Sequence, residues 1–189
     1  MALIGDKYLT GKFLVSTSKI DDESFRKSVI YICSHGQEGA MGFMINKKLK
    51  DFSLSDLAVP LDAQRFENLE QMFLYQGGPL EKIRGFVLHS SEYLKPGTFQ
   101  VDDHVSVSSS LDILKDIAYG IGPQENLVAL GYCSWEPNQL ERELINNDWL
   151  VADSSNEILF HTEDELKWDR AMDETKIELN RFVFETGHA

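Results

Sequence analysis

Cys33 and His35 stand two residues apart in the stretch Val29-Ile30-Tyr31-Ile32-Cys33-Ser34-His35. In an extended chain such residues point the same way. A thiol beside an imidazole is the pairing that yields a thiolate nucleophile. Side chains at i and i+2 of one strand run parallel, however, and seldom meet at hydrogen-bond distance. A buried thiol and a hydrogen-bonded histidine at a strand end explain the pair more simply. Glu136, Glu141 and Glu143 lie close to Tyr132 and Trp135, and a carboxylate desolvated against an indole has its pKa raised. His35 and Glu141 are therefore the acid/base candidates. Ordinary capping at a helix start also accounts for Gln139 and Glu141. The histidines at 35, 89, 104, 161 and 188 are scattered and form no metal-ligand spacing, so neither metal nor cofactor is expected. P-loop, dinucleotide, G-x-S-x-G and H-E-x-x-H patterns do not occur.

The residues from Leu127 to Ile145 organise these candidates. The apolar run Leu127-Val128-Ala129-Leu130 predicts a buried strand, Gly131 a tight turn, and Pro137 the first position of a helix. Tyr132, Trp135, Gln139 and Glu141 then gather where strand becomes helix, a common place for a ligand. Two more turn-rich blocks belong with them. Gly36-Gln37-Glu38-Gly39 joins two apolar runs as a β-hairpin whose second strand ends at Asn46. Gly77-Gly78-Pro79 ends another strand, and such a turn can present backbone N–H groups to an anion, though it is more often only a turn. Asn46, Gly77, Gly78, Tyr132, Trp135, Gln139 and Glu141 are thus the expected lining of a polar-aromatic cleft.

Further strands are expected around Phe13–Val15, 72–75, 84–89, 98–101, 104–107, Trp149–Ala152 and Glu157–Phe160. Ser53-Leu54-Ser55-Asp56 reads as the start of a short helix, and 61–70 as loop with some helix. Leu111, Leu114 and Ile117 fall on one stripe of a helix from Ser110 to Tyr119, stopped by Gly120. Thr162-Glu163-Asp164-Glu165 reads as a capping box for a helix to about Glu174, with an apolar tail docked behind it.

The chain of 189 residues suits a single domain with a sizeable core. No apolar run reaches the roughly 18 residues of a membrane span, and the N-terminus lacks a signal-peptide pattern. A cytoplasmic protein with Cys33 and Cys133 unbridged is expected. Net charge is −13, but residues 1–50 hold eight Lys/Arg against five Asp/Glu, whereas the rest holds ten against 26. An acidic surface repels phosphate backbones. Nucleic-acid binding through Arg26, Lys27, Lys47, Lys48 and Lys50 is accordingly the third reading, after ligand or protein binding and after an enzyme. A solvated face explains those lysines well.

Several blocks together resemble the bacterial YqgE/AlgH family. They are 39–46, Gly77-Gly78-Pro79, Gly131-Tyr132-x-Ser134-Trp135-x-x-x-Gln139-Leu140-Glu141, Trp149-Leu150, Ile158-Leu159-Phe160 and Gly187-His188-Ala189. The resemblance runs from about Gly11 to the last residue. It implies a single-domain α+β fold with a bifurcated, mostly antiparallel sheet folded into a pseudo-barrel with flanking helices. It also implies a cytosolic bacterial protein, of a kind often labelled a transcriptional regulator, and it brings no assigned active site. Ser16-Thr17-Ser18, Asp22-Glu23 and Asn46-Lys47-Lys48 replace three turns that usually contain proline, which makes them less rigid. Cys133 stands where relatives typically have alanine, which argues against a shared catalytic thiol.

Overall fold

Alternating and continuous apolar runs become strands β1 (Lys12–Ser16), β2 (Val29–Gly36), β3 (Gly39–Met44), β4 (Lys48–Ser53), β5 (Phe73–Gln76), β6 (Leu80–Ser90), β7 (Thr98–Gln100), β8 (Val105–Ser108), β9 (Asn126–Trp135) and β10 (Trp149–Asp153). The helices are α1 (Leu111–Ala118), α2 (Gln139–Ile145) and α3 (Asp164–Glu185). The computed structural model describes residues 8–53 and 72–185. The helix expected after Ser53, the segment 61–70 and His188 lie outside them. The fold is α+β and mostly antiparallel, as expected, with β5 running parallel to β9. The chain divides into two compact units, one up to Gly42 and again from Ser134 onward, the other from Phe43 to Cys133.

In the first unit β1 lies between β2 and β10, pairing Phe13 with Tyr31 on one side and with Ala152 on the other. Both faces of β1 and β2 are apolar. Phe13, Leu14, Val15 and Val29–Ile32 are all buried, as continuous apolar runs require. The indole N–H of Trp168 on α3 donates to the Ser16 carbonyl at 3.0 Å. Lys167, also buried, pairs with Asp164 at 3.1 Å and donates to the Leu159 carbonyl at 3.1 Å. Both partners are needed, since a buried ammonium without them is costly.

In the second unit β6 lies between β8 and β9, and β7 adds to β8. Helix α1 drops Ile113 and Leu114 onto Leu74, Val87, Val128 and Leu130. Its N-cap is Ser110, whose hydroxyl accepts from the Asp112 N–H, as its stripe and serine predict.

Four expectations need correction. Gly131 makes no tight turn: β9 runs on to Trp135, and the positive φ of 73° at Gly131 accompanies a register shift between β6 and β9. A glycine with left-handed backbone can be absorbed as a bulge inside a strand. Helix α2 starts at Gln139 after a left-handed Asn138, so Pro137 precedes the helix and does not open it. Glu157–His161 is a π-helical turn that buries the adjacent Ile158 and Leu159; a short apolar run does not tell strand from helical turn. Beyond Glu174 the tail continues α3 to Glu185.

Candidate functional site

In the first unit the structure brings His35 and Glu141 together. His35 Nε2 lies 3.1 Å from Glu141 Oε1, and Nδ1 accepts the Leu9 N–H at 3.1 Å. An amide donor at Nδ1 fixes the neutral tautomer, with the proton on Nε2 directed at the carboxylate. Both ring nitrogens are thus occupied inside the unit, and the His35 side chain is buried. Cys33 is buried too, its thiol 3.9 Å from the Tyr31 carbonyl.

Trp135 and Gln139 converge on Glu143. The Glu143 carboxylate accepts the indole N–H groups of Trp135 and Trp149, each at 2.7 Å, and the Gln139 amide at 2.9 Å. Gln139 Oε1 in turn accepts the Glu136 N–H at 3.0 Å. The two indoles meet edge to face with ring centres 6.1 Å apart. A β-carbon on Gly39 would collide with the Trp135 carbonyl. The aromatic and polar groups of this stretch are therefore knitted into a scaffold.

In the second unit Gly77 and Gly78 are buried against backbone. A β-carbon on Gly77 would strike the Gly131 carbonyl, and one on Gly78 the Tyr132 and Cys133 backbone. Their role is close approach of two chains. Gly77 N–H donates to the Leu130 carbonyl at 2.8 Å, and its own carbonyl accepts the Met44 N–H at 2.8 Å. Asn46 is half-buried just beyond β3. The Tyr132 hydroxyl donates to Glu81 at 3.3 Å, and its ring packs edge-on to Phe86. Burial pushes the Cys133 thiol up to about 12, which keeps it protonated and unreactive.

Of the basic residues, Arg26 and Lys27 belong to the first unit, where the Lys27 ammonium lies 5.0 Å from the Trp168 ring centre. Lys47, Lys48 and Lys50 belong to the second. The Lys48 ammonium lies 3.9 Å from the Phe73 ring, and burial lowers the pKa of Lys47. Among the described residues no three His, Cys, Asp or Glu converge as a metal site.

Sequence reasoning missed the groups around β6, β8 and α1. Val105-Ser106-Val107-Ser108 alternates, so both serines share a face, and pairing places His89 opposite Ser106 on it. His89 is wholly buried. Its Nδ1 lies 3.0 Å from the Ser90 carbonyl, which can only accept, so Nδ1 carries the proton. Nε2 then offers a lone pair to the Ser108 hydroxyl, 2.9 Å away. With that proton committed to His89, the Thr98 hydroxyl is the donor in its 2.8 Å bond to Ser108. Burial holds the imidazole pKa below its ordinary value, against the pull of the Ser90 carbonyl and the Glu92 carboxylate.

Ser108 also lines a hollow of about 220 Å³ with Ser109, Ser110, Arg84, Phe86, Val87, Leu111, Leu114 and Val128. Gly85 belongs to the same wall, and a β-carbon there would meet no atom nearer than 3.9 Å. A second hollow, of about 120 Å³, shares Ser108 and Ser110 and adds Lys95, Thr98 and Asp112. The only sequence signal for this region was the serine alternation followed by a serine-capped helix.

Fold and site together define a mixed α+β protein, mostly antiparallel, with a hollow of apolar and hydroxyl-bearing side chains beside a helix start. The chain belongs to the AlgH-like family (DUF179), whose model matches residues 13–180. It is 41% identical over 190 residues to a UPF0301 protein of Rhodopseudomonas palustris strain HaA2, covering 96% of this chain and 87% of that one. A UPF0301 protein of Brucella abortus strain 2308 is likewise 41% identical over 189 residues, covering 96% and 94%. Among solved structures, the solution structure of AlgH from Pseudomonas aeruginosa matches with a TM-score of 0.79 at 32% identity, over the whole of both chains. A Corynebacterium diphtheriae protein solved by crystallography shares the fold, with a TM-score of 0.64 at 19% identity over 80% and 79% of the chains.

Proposed function

We propose that this protein is a small-ligand-binding module of the cytoplasm. Any regulatory role follows from ligand occupancy, not from direct contact with DNA. The observation that carries this reading is the hollow of about 220 Å³ in the second unit, lined by apolar Phe86, Val87, Leu114 and Val128 together with Ser108, Ser109, Ser110 and Arg84. Apolar walls with a few convergent polar groups are the usual make-up of a ligand site. The matching ligand has a short hydrocarbon part and an oxygen-bearing head, such as a carboxylate, ester or amide. The overall charge of −13 favours such a molecule over nucleic acid. No helix among the described residues is long and apolar enough to cross a membrane. A reaction at His35 and Glu141 has less support, because the lone pair of the His35 ring is taken by the Leu9 N–H and, among the described residues, no hydroxyl or thiol lies within its reach.

The test is an amide NMR titration with butyrate, butyramide and their short-chain homologues. Shifts at Gly85, Ser109, Ser110, Leu111 and Val128 are expected, and Gly85→Ile should weaken binding at least tenfold while the protein stays folded. Shifts confined to other regions, or none at millimolar ligand, would overturn the reading.

A further inference from the structure

We propose that Ser108 is a nucleophile with His89 as its general base, making the hollow an acyl-transfer site for short carboxylic esters. The assignment rests on the ligand-site reading above. It stands on a hydrogen-bond chain of fixed polarity: Thr98 hydroxyl to Ser108 Oγ, Ser108 hydroxyl to His89 Nε2, and His89 Nδ1–H to the Ser90 carbonyl. A nucleophile within hydrogen-bond reach of a base, the base oriented by a third group, is the arrangement that activates a serine. Here a main-chain carbonyl takes the orienting place usually held by a carboxylate. A carbonyl in that position permits no other neutral tautomer.

The surroundings suit the same chemistry. His89 is wholly shielded from solvent and Ser108 nearly so, at 2% exposed, while Ser108 contributes to the lining of both hollows. Glu92 accepts the Ser90 hydroxyl at 2.9 Å and the Gln124 N–H at 2.7 Å, and its charge favours an imidazolium at His89. Ser109, Ser110 and Leu111 line the hollow at the start of α1. The N–H groups of a first helical turn have no intrahelical acceptor and carry partial positive charge; with the Asp112 N–H taken by the Ser110 hydroxyl, those of Leu111 and Ile113 are left to suit a developing oxyanion.

In the reaction, Ser108 Oγ bonds to the ester carbonyl carbon as its proton passes to His89 Nε2. The tetrahedral adduct collapses by breaking the bond to the alkoxy oxygen, which leaves as alcohol with the proton from Nε2. Water then attacks the seryl ester, giving its proton to Nε2, and the proton returns to Oγ as the carboxylic acid departs. Ester and water become acid and alcohol, with no oxidant or reductant.

Diisopropyl fluorophosphate tests this directly, because it forms an Oγ–P bond while fluoride leaves with the serine proton. Intact-mass and peptide mass spectrometry of the folded wild-type chain should show one adduct, on Ser108. The adduct should be absent in Ser108→Ala and unaffected in Glu141→Gln. In His89→Gln both labelling and hydrolysis of 4-nitrophenyl butyrate should slow roughly a hundredfold or more, the usual share of a general base. The wild-type protein alone decides the matter if His89→Gln folds poorly. No adduct, an adduct elsewhere, or full-rate labelling in a folded His89→Gln would overturn the proposal. Butyrate shifts in the hollow without an adduct would sink the chemistry and leave the binding reading standing; failure of both would remove both.

Discussion

His35 and His89 show how the partner of each ring nitrogen decides what an imidazole can do. His35 spends one nitrogen on an amide donor and the other on Glu141. His89 keeps a lone pair for a hydroxyl. His89 also carries a consequence for stability. Burial sets its folded-state pKa below the ordinary 6.5, so the unfolded chain takes up a proton first as pH falls. Stability is therefore full above about pH 6.5 and declines below it, until the folded state's own midpoint is reached. Urea midpoints measured from about pH 7.5 down to 5.5 should fall in the wild type. The fall should be shallower in His89→Gln, by up to about 1.4 kcal/mol per pH unit in free energy. Glu92 opposes the depression, so Glu92→Gln should steepen the decline.

At the scale of elements, glycines set how closely β9 is approached. Gly78 lies against the Tyr132–Cys133 backbone with no room for a β-carbon. The obstacle is main chain, which has no rotamer to change. Gly78→Ala should therefore cost at least the roughly 1–3 kcal/mol of an overpacked core, read as a lowered Tm by circular dichroism. Gly85→Ala, whose added β-carbon would meet only the Leu130 side chain at an ordinary contact distance of 3.9 Å, should be nearly neutral. The sequence made the hairpin of β2 and β3, the strand β1 and helix α1 legible, because their periodicity and caps agree with their burial. It misled at Gly131, where a turn-type residue is taken up within a strand, and at Glu157–His161, where five residues carry no period. It hid β4, whose lysines read as a solvated face. Of the seven residues expected to line a cleft, four have a packing or hydrogen-bonding role inside their own unit. Gly77 and Gly78 serve backbone packing, and Trp135 and Gln139 serve Glu143. The pairing of His89 with Ser108 was illegible because it depends on strand register, which no local pattern states.

For the molecule as a whole, charge outweighs local basic clusters. With 31 acidic against 18 basic side chains, the long-range field opposes approach to a duplex, and only a few lysines act against it. Fluorescence anisotropy with a labelled duplex should show no binding at about 0.15 M salt. Any binding at low salt should be lost steeply as ions are added. Retention at physiological salt would restore the nucleic-acid reading.

The pairing of Phe13 with Ala152 has a further consequence. On the ribosome, the second unit is one contiguous stretch and can form as it emerges. Strand β1 must wait for β10, made well over a hundred residues later, before that edge is satisfied. Closure over so long a loop is slow. One edge of the earliest-made strand is thus among the last to meet its native neighbour, and for that interval an apolar β1 paired on its β2 side alone is a natural client for a chaperone.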